Sequence, residues 1–173
     1  MSGSPRELTS AAVPPVGPAD HVRGDGPEAI LYFDLACPHC AATWPAIAGH
    51  ALRLCLRHFP LPSKRPRSAA LHAAAEAAAR QREEAFWAMV DSIYSDQGHQ
   101  DDPHLWARAE AIGLALPRFE ADRRSSAVAE RVRADFETGI RAGVTGTPTV
   151  FVGGEPLGGD LASELEALGG RRD

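Results

Sequence analysis

Five apolar residues in a row, Ala29-Ile30-Leu31-Tyr32-Phe33, stand just ahead of a close cysteine pair, Cys37-Pro38-His39-Cys40. A strand that is apolar at every position must be buried on both faces. The run therefore predicts a central strand of a parallel or mixed sheet, with cover required on both sides. A chain of 173 residues supports one domain with an ordinary core, and 44% hydrophobic with 24% charged residues is the composition of a globular protein.

The chain turns at Ala36-Cys37-Pro38, and a helix is expected from about Pro38 to Gly49, with Pro38 tolerated in its first turn and Pro45 kinking it. Leu52, Leu54 and Leu56 alternate with Arg53, Cys55 and Arg57, which marks a second strand. Strand, helix, strand implies a right-handed crossover. Pro60, Pro62 and Pro66 punctuate a loop, and Ser68 is positioned to cap an alanine-rich helix over 69–81. Phe86, Val90 and Ile93 share a face of the next helix. Asp102 before Pro103 opens another that Gly113 ends, and Pro117 opens a fourth. Val128, Val132, Phe136 and Ile140 recur every four residues and predict a long amphipathic helix ending at Gly143. Two strands around Gly153-Gly154 read as a hairpin, and residues 161–168 as a closing helix. Residues 1–27, rich in Pro, Gly and Ser, read as a flexible tail, with order from about His21.

The cysteine pair carries chemistry if Cys37 sits at the start of its helix. Unpaired N–H groups there favour a negative charge, and the thiolate is the reactive form of cysteine. Cys40, about one turn deeper, is placed to act as the resolving thiol. A helix end contributes about 0.3 to 2 kcal/mol, and one pKa unit is about 1.4 kcal/mol. The helix alone therefore moves Cys37 by about one unit, and a larger shift needs hydrogen bonds or a cation, for which His39 is the candidate. Stabilising the reduced form makes the disulfide more oxidising. Cys37, His39 and Cys40 can also be read as zinc ligands, but no second CxxC or HxxxH completes a closed site. Cys55, in a strand pattern, reads as a small buried residue. Trp44 either lines the groove beside the pair or packs. Phe86 and Trp87 read as core, His58 and His72 as satisfied structural or surface histidines. His99 and His104 lie in a polar loop and at a helix start.

A formal net charge of −5 argues against a nucleic-acid partner, and the run Lys64-Arg65-Pro66-Arg67 reads as solvated surface. No apolar run reaches the ~20 residues of a membrane-spanning helix, so no membrane insertion is expected. The first residues contain no apolar segment behind a basic start, so cytoplasmic location is the expectation. A chain from which a signal or anchor had been removed would look the same.

FDLACPHC resembles the active-site turn of the thioredoxin superfamily and, within it, of the DsbA-like disulfide oxidoreductases, where Pro-His is typical of DsbA. GVTGTPTVFVGG resembles their cis-proline loop and the following hairpin. DHVRGDGPEAI and RHFPL resemble the flanks of the first two strands in bacterial DsbA-like domains, including those appended to some sodium/proton antiporters. The resemblance covers roughly residues 20–170. It implies an α/β thioredoxin fold (β-α-β then β-β-α) over 28–67 and 143–173, with an all-helical insertion over 68–142. It implies exchange of disulfides with protein or peptide thiols through Cys37 and Cys40, with His39 tuning the couple. Pro38, Thr147 and a cis Pro148 would dock substrate, Thr147 by pairing its backbone with an extended chain. No bound cofactor or metal is implied, and electrons pass to a redox partner whose identity the sequence leaves open. A thioredoxin-fold binding module without turnover is the alternative. Many relatives bury a carboxylate six residues before the first cysteine; Leu31 stands there, and Asp34 either moves protons in its stead or only shapes the turn.

Overall fold

The computed structural model describes residues 11–170; the first ten residues of the expected tail lie outside them. Strands β1 (His21–Arg23), β2 (Glu28–Phe33), β3 (Arg53–His58), β4 (Thr149–Val152) and β5 (Glu155–Pro156) form one mixed sheet in the order β1-β3-β2-β4-β5. The apolar run is its central strand. It pairs in parallel with β3, from Glu28↔Arg53 to Phe33↔His58, and antiparallel with β4, with Leu31 opposite Val150. Helix α1 (Pro38–Ala48) connects β2 to β3. Helices α2 (Ser68–Ala79), α3 (Glu83–Ser95), α4 (Asp102–Ile112), α5 (Leu116–Arg123) and α6 (Ser126–Arg141) intervene before β4, and α7 (Leu161–Gly169) closes the chain. This is a thioredoxin fold with a helical insertion.

Alternate residues of the strands feed two cores. Leu31, Phe33, Leu54, Leu56 and Val150 point into the larger one, where Trp44, Ile47, Leu71, Phe86, Val90, Ile93 and Leu165 cover them. Ile30, Tyr32, Cys55 and Phe151 point the other way, against Phe59, Val144 and Phe136. Val13 and Val16 pack on this second core. Much of the segment expected to be a flexible tail is therefore docked. Buried Arg57 holds it, grasping both oxygens of Asp20 at 2.9 Å and donating to the carbonyls of Pro14 and Pro15. A guanidinium at full charge inside a fold needs such partners, and residues 14–20 supply them.

The hairpin forms as the glycines require. Gly153 and Gly154 both have positive φ, 59° and 84°, as the two-residue turn matching the sheet's twist demands. Helix α4 starts at Asp102 as expected, capped by Asp101, which accepts the His104 amide at 3.2 Å, and Gly113 ends it at φ 84°. Ser68 does not cap α2; it is the helix's first residue, and its hydroxyl is drawn inward to Asp34. The apolar stripe on α6 is also not its buried face. Residues four apart turn 400° around a helix, so the stripe drifts by about 40° per step. Val128 is buried, Val132 and Phe136 line an open groove, and Ile140 is 52% exposed. Asp135 and Gly139 face inward instead.

Gly139 is there for space. A β-carbon at this position would come within 2.8 Å of the Phe59 ring and 2.9 Å of the Tyr32 ring. We expect Gly139→Ala to destabilise the protein by about 1 to 2 kcal/mol in chemical denaturation, overpacking outweighing the helix propensity that alanine gains.

Candidate active site

The turn between β2 and α1 presents the cysteine pair. Cys37 is the N-cap of α1, with extended backbone (φ −82°, ψ 121°), and Pro38 fills the first helical position, where a missing N–H costs nothing. Both sulfurs are buried while Pro38 and His39 between them are exposed. The two side chains face each other as thiols. The Cys40 thiol donating to Cys37 is the largest influence lowering the Cys37 pKa, from 9.0 to about 5. Burial opposes the shift; Thr147, the Cys40 amide and the Arg65 charge add to it. Burial pushes Cys40 far the other way, and the Cys37 charge adds to that. One thiol is therefore a thiolate at neutral pH and its neighbour is not. The shift at Cys37 exceeds what a helix end supplies, and the excess comes from hydrogen bonds. The ring of His39 is not among the leading contributors.

The second motif arrives opposite the first. The Thr147–Pro148 peptide is cis, and the Thr147 carbonyl lies 3.8 Å from the Cys37 sulfur. The buried Thr147 hydroxyl makes no hydrogen bond within the fold, and Thr147 is a further influence lowering the Cys37 pKa. Thr147 and Pro148 precede the first ladder pair of β4, Tyr32↔Thr149, so they lie beyond its pairing with β2. A groove of about 350 Å³ runs beside them, lined by His39, Thr43, Pro148, Leu157, Asp160 and Leu161.

Behind the pair, the turn hangs from the helical insertion. The Asp34 carboxylate is fully buried. One oxygen accepts the Ala36 amide at 3.0 Å and the Ser68 hydroxyl at 2.7 Å; the other takes the Leu61 amide and Arg65, each at 3.3 Å. Burial disfavours its charge, but the polar groups around it, His72, Ser68 and the Ala36 amide, hold it below the usual carboxylate range. So saturated an anion is a poor base: Asp34 is a strut of the turn. The Asp34 carbonyl accepts from Tyr94, the Leu35 carbonyl from Gln97, and the Leu35 amide donates to His72. Arg65, read from sequence as solvated, reaches this carboxylate, and Arg67 pairs with Asp102.

Residues 29–168 match the family described as the DSBA-like thioredoxin domain. The chain belongs to this family. It is 36% identical over 165 residues to the Na(+)/H(+) antiporter NhaA of Herminiimonas arsenicoxydans; that stretch is 88% of this chain but a quarter of the antiporter. The chain thus spans about a quarter of the curated relatives it matches. Among solved structures, BdbD from Bacillus subtilis superposes with a TM-score of 0.76 at 15% identity, covering 91% of this chain and 95% of that one. The thiol-disulfide exchange protein alpha-DsbA2 from Wolbachia pipientis gives 0.74 at 18% identity, covering 87% and 88%. These two likenesses establish the fold.

The remaining candidates of this DSBA-like domain have structural places. Trp44 packs in the core and donates to Asp91 at 2.8 Å, and Arg23 stacks over the Trp44 and Trp87 rings. Cys55 lies in the second core, its thiol pushed up by burial and the nearby Asp20 charge. Among the described residues, the donor atoms that converge as a metal site requires belong to His21, His58 and Glu76, not to the cysteine motif. Those atoms sit at hydrogen-bond separations, 2.7 and 2.9 Å. Tyr94, Gln97, Arg65, Ser68 and His72 escaped sequence reasoning as site residues. His72 and Tyr94 stood out only as polar groups on otherwise apolar helices, and Arg65 and Gln97, in loops, gave no such signal.

The depressed Cys37 value sets a pH window. Its thiolate contributes to the stability of the dithiol form fully above pH 9, the unfolded value, and that contribution is lost as pH falls towards about 5. Alkylation of Cys37 by iodoacetamide, followed by mass spectrometry, should show a rate midpoint near pH 5. Thr147→Val should raise that midpoint by about one unit, since a hydrogen bond to a charged group is worth about 1.5 to 3 kcal/mol.

Proposed function

We propose that this chain is a thiol–disulfide oxidoreductase that exchanges disulfides with protein or peptide thiols through Cys37 and Cys40. The observation that carries this reading is the cysteine pair at the start of α1 set opposite the cis Thr147–Pro148 peptide, with the surroundings pushing the pKa of Cys37 down and that of Cys40 up. That polarity assigns Cys37 as the attacked and leaving sulfur and Cys40 as the resolving one.

With the pair oxidised, a substrate thiolate attacks the Cys37 sulfur. The Cys37–Cys40 bond breaks, and Cys40 leaves and takes up a proton. A second substrate thiolate then attacks the substrate sulfur of the mixed disulfide and expels Cys37 as a thiolate. The substrate loses two electrons and becomes a disulfide; the protein holds them as the Cys37 thiolate and the Cys40 thiol. Reoxidation passes them to another thiol–disulfide couple. A low pKa makes Cys37 the better leaving group, which favours the oxidising direction.

Thr147, Pro148, Pro38 and His39 border the path a substrate would take. An extended peptide laid beside residues 147–148 would add to the sheet ahead of β4. His39 is exposed on the groove beside Pro148, so its role in this reading is contact with substrate. Ion transport is not extended to this chain: among the described residues no helix is long and apolar enough to cross a membrane.

Trapping tests the assignment. Cys40→Ala incubated with a disulfide-bonded peptide should accumulate a mixed disulfide at Cys37, whereas Cys37→Ala should give none. Absence of the adduct, together with insulin reduction and peptide oxidation at background for the unmodified protein, would contradict the proposal. Partner binding that survives Cys37→Ala would point to a binding module instead.

A further inference from the structure

A row of buried polar side chains leads away from the active-site turn. The Leu35 amide donates to His72 Nε2 at 3.0 Å, and His72 Nδ1 lies 2.7 Å from His58 Nδ1. His58 Nε2 lies 2.9 Å from a Glu76 oxygen, which also contacts His21 Nε2 at 2.7 Å. His21 Nδ1 reaches Glu83 at 2.8 Å, the first residue of α3, whose side chain is half exposed.

The protons in this row have one self-consistent order. A backbone N–H can only donate, so His72 Nε2 is a bare lone pair and the His72 proton sits on Nδ1. That N–H donates to His58 Nδ1. His58 then carries its own proton on Nε2 and donates to Glu76, whose carboxylate can only accept. The opposite arrangement, with a proton on His72 Nε2, would set two N–H groups against each other at Leu35. It would turn His72 to Asp34, 3.3 Å away, on an oxygen already taken by Ala36 and Ser68. Burial also favours a neutral His72, pulling its pKa down to about 4 although the Asp34 carboxylate beside it acts in the opposite direction.

We propose that His72 is a positioning residue for the dithiol: its Nε2 lone pair holds Leu35, two residues ahead of Cys37, and its tautomer is fixed from a distance by His58 and Glu76. The insertion thereby clamps the turn at successive backbone groups, through Tyr94 on Asp34 and through Gln97 and His72 on Leu35, while the turn's own Asp34 carboxylate holds Ala36. Loosening the Leu35 amide lets the N-terminus of α1 drift from Thr147 and the Cys40 thiol, the groups that stabilise the Cys37 thiolate.

The inference deepens the oxidoreductase reading, but its readout is the titration of Cys37, which exists whether or not the chain turns over a substrate. Thiolate absorbance against pH should show His72→Leu raising the Cys37 midpoint by about one unit. His72→Gln, which keeps an acceptor near the Nε2 position without a titrating ring, should stay within a few tenths of the unmodified protein. Equal shifts in both variants, or a shift in neither, would overturn the proposal. Should the leucine variant not fold, two-bond proton–nitrogen NMR of the unmodified protein decides: His72 is expected as the Nδ1–H tautomer and His58 as Nε2–H, and a proton on His72 Nε2 would overturn the assignment. Normal titration effects with no exchange activity would sink the oxidoreductase reading alone.

Discussion

The pairing of the Cys37 and Cys40 thiols at the start of α1, one at the N-cap and one buried a turn deeper, is the constraint on which the site depends. It pulls the two cysteines in opposite directions, one well below and one well above the ordinary thiol range. A dithiol so divided holds its negative charge on the Cys37 sulfur and keeps its proton on Cys40. The rest of the site maintains that division. Pro38 and the extended N-cap aim the first N–H groups of α1, the cis peptide at Pro148 brings Thr147 against the sulfur, and burial denies Cys40 the water that would let it ionise.

Holding a turn this closely requires that its backbone be fully occupied, because a buried amide or carbonyl without a partner costs about as much as a lost hydrogen bond. Of the three residues before Cys37, Asp34 and Leu35 are held by side chains of the insertion and Ala36 by the Asp34 carboxylate. The helices between β3 and β4 therefore do more than cover the large core. They are the frame against which the active-site turn is registered, and the Asp34 carboxylate, ringed by donors, joins that frame to the loop before α2.

Most of the architecture was legible in the sequence because it is written in local patterns. The apolar run, the leucine alternation of β3, the proline and glycine punctuation of the helices and the Gly153-Gly154 turn each report their own segment. What escaped is long-range pairing. Arg57 sits in an alternating strand pattern as any exposed arginine would, yet it is buried and ties residues 14–20 to the sheet. Ser68 looked like a cap and Arg65 like surface because their partner, Asp34, lies over thirty residues away in the chain. On α6 a four-residue repeat was taken at face value where the 3.6-residue turn rotates it off the core. The cis-proline loop came from resemblance; spacing alone would not have placed it beside Cys37.

The reduction potential of the Cys37–Cys40 couple tests the central claim most directly. A reduced form stabilised by a Cys37 thiolate should place the couple above about −200 mV when equilibrated against glutathione at pH 7, on the oxidising side of thioredoxin's roughly −270 mV. A value at or below that of thioredoxin would mean that the thiolate is not held as the structure indicates, and would contradict the account.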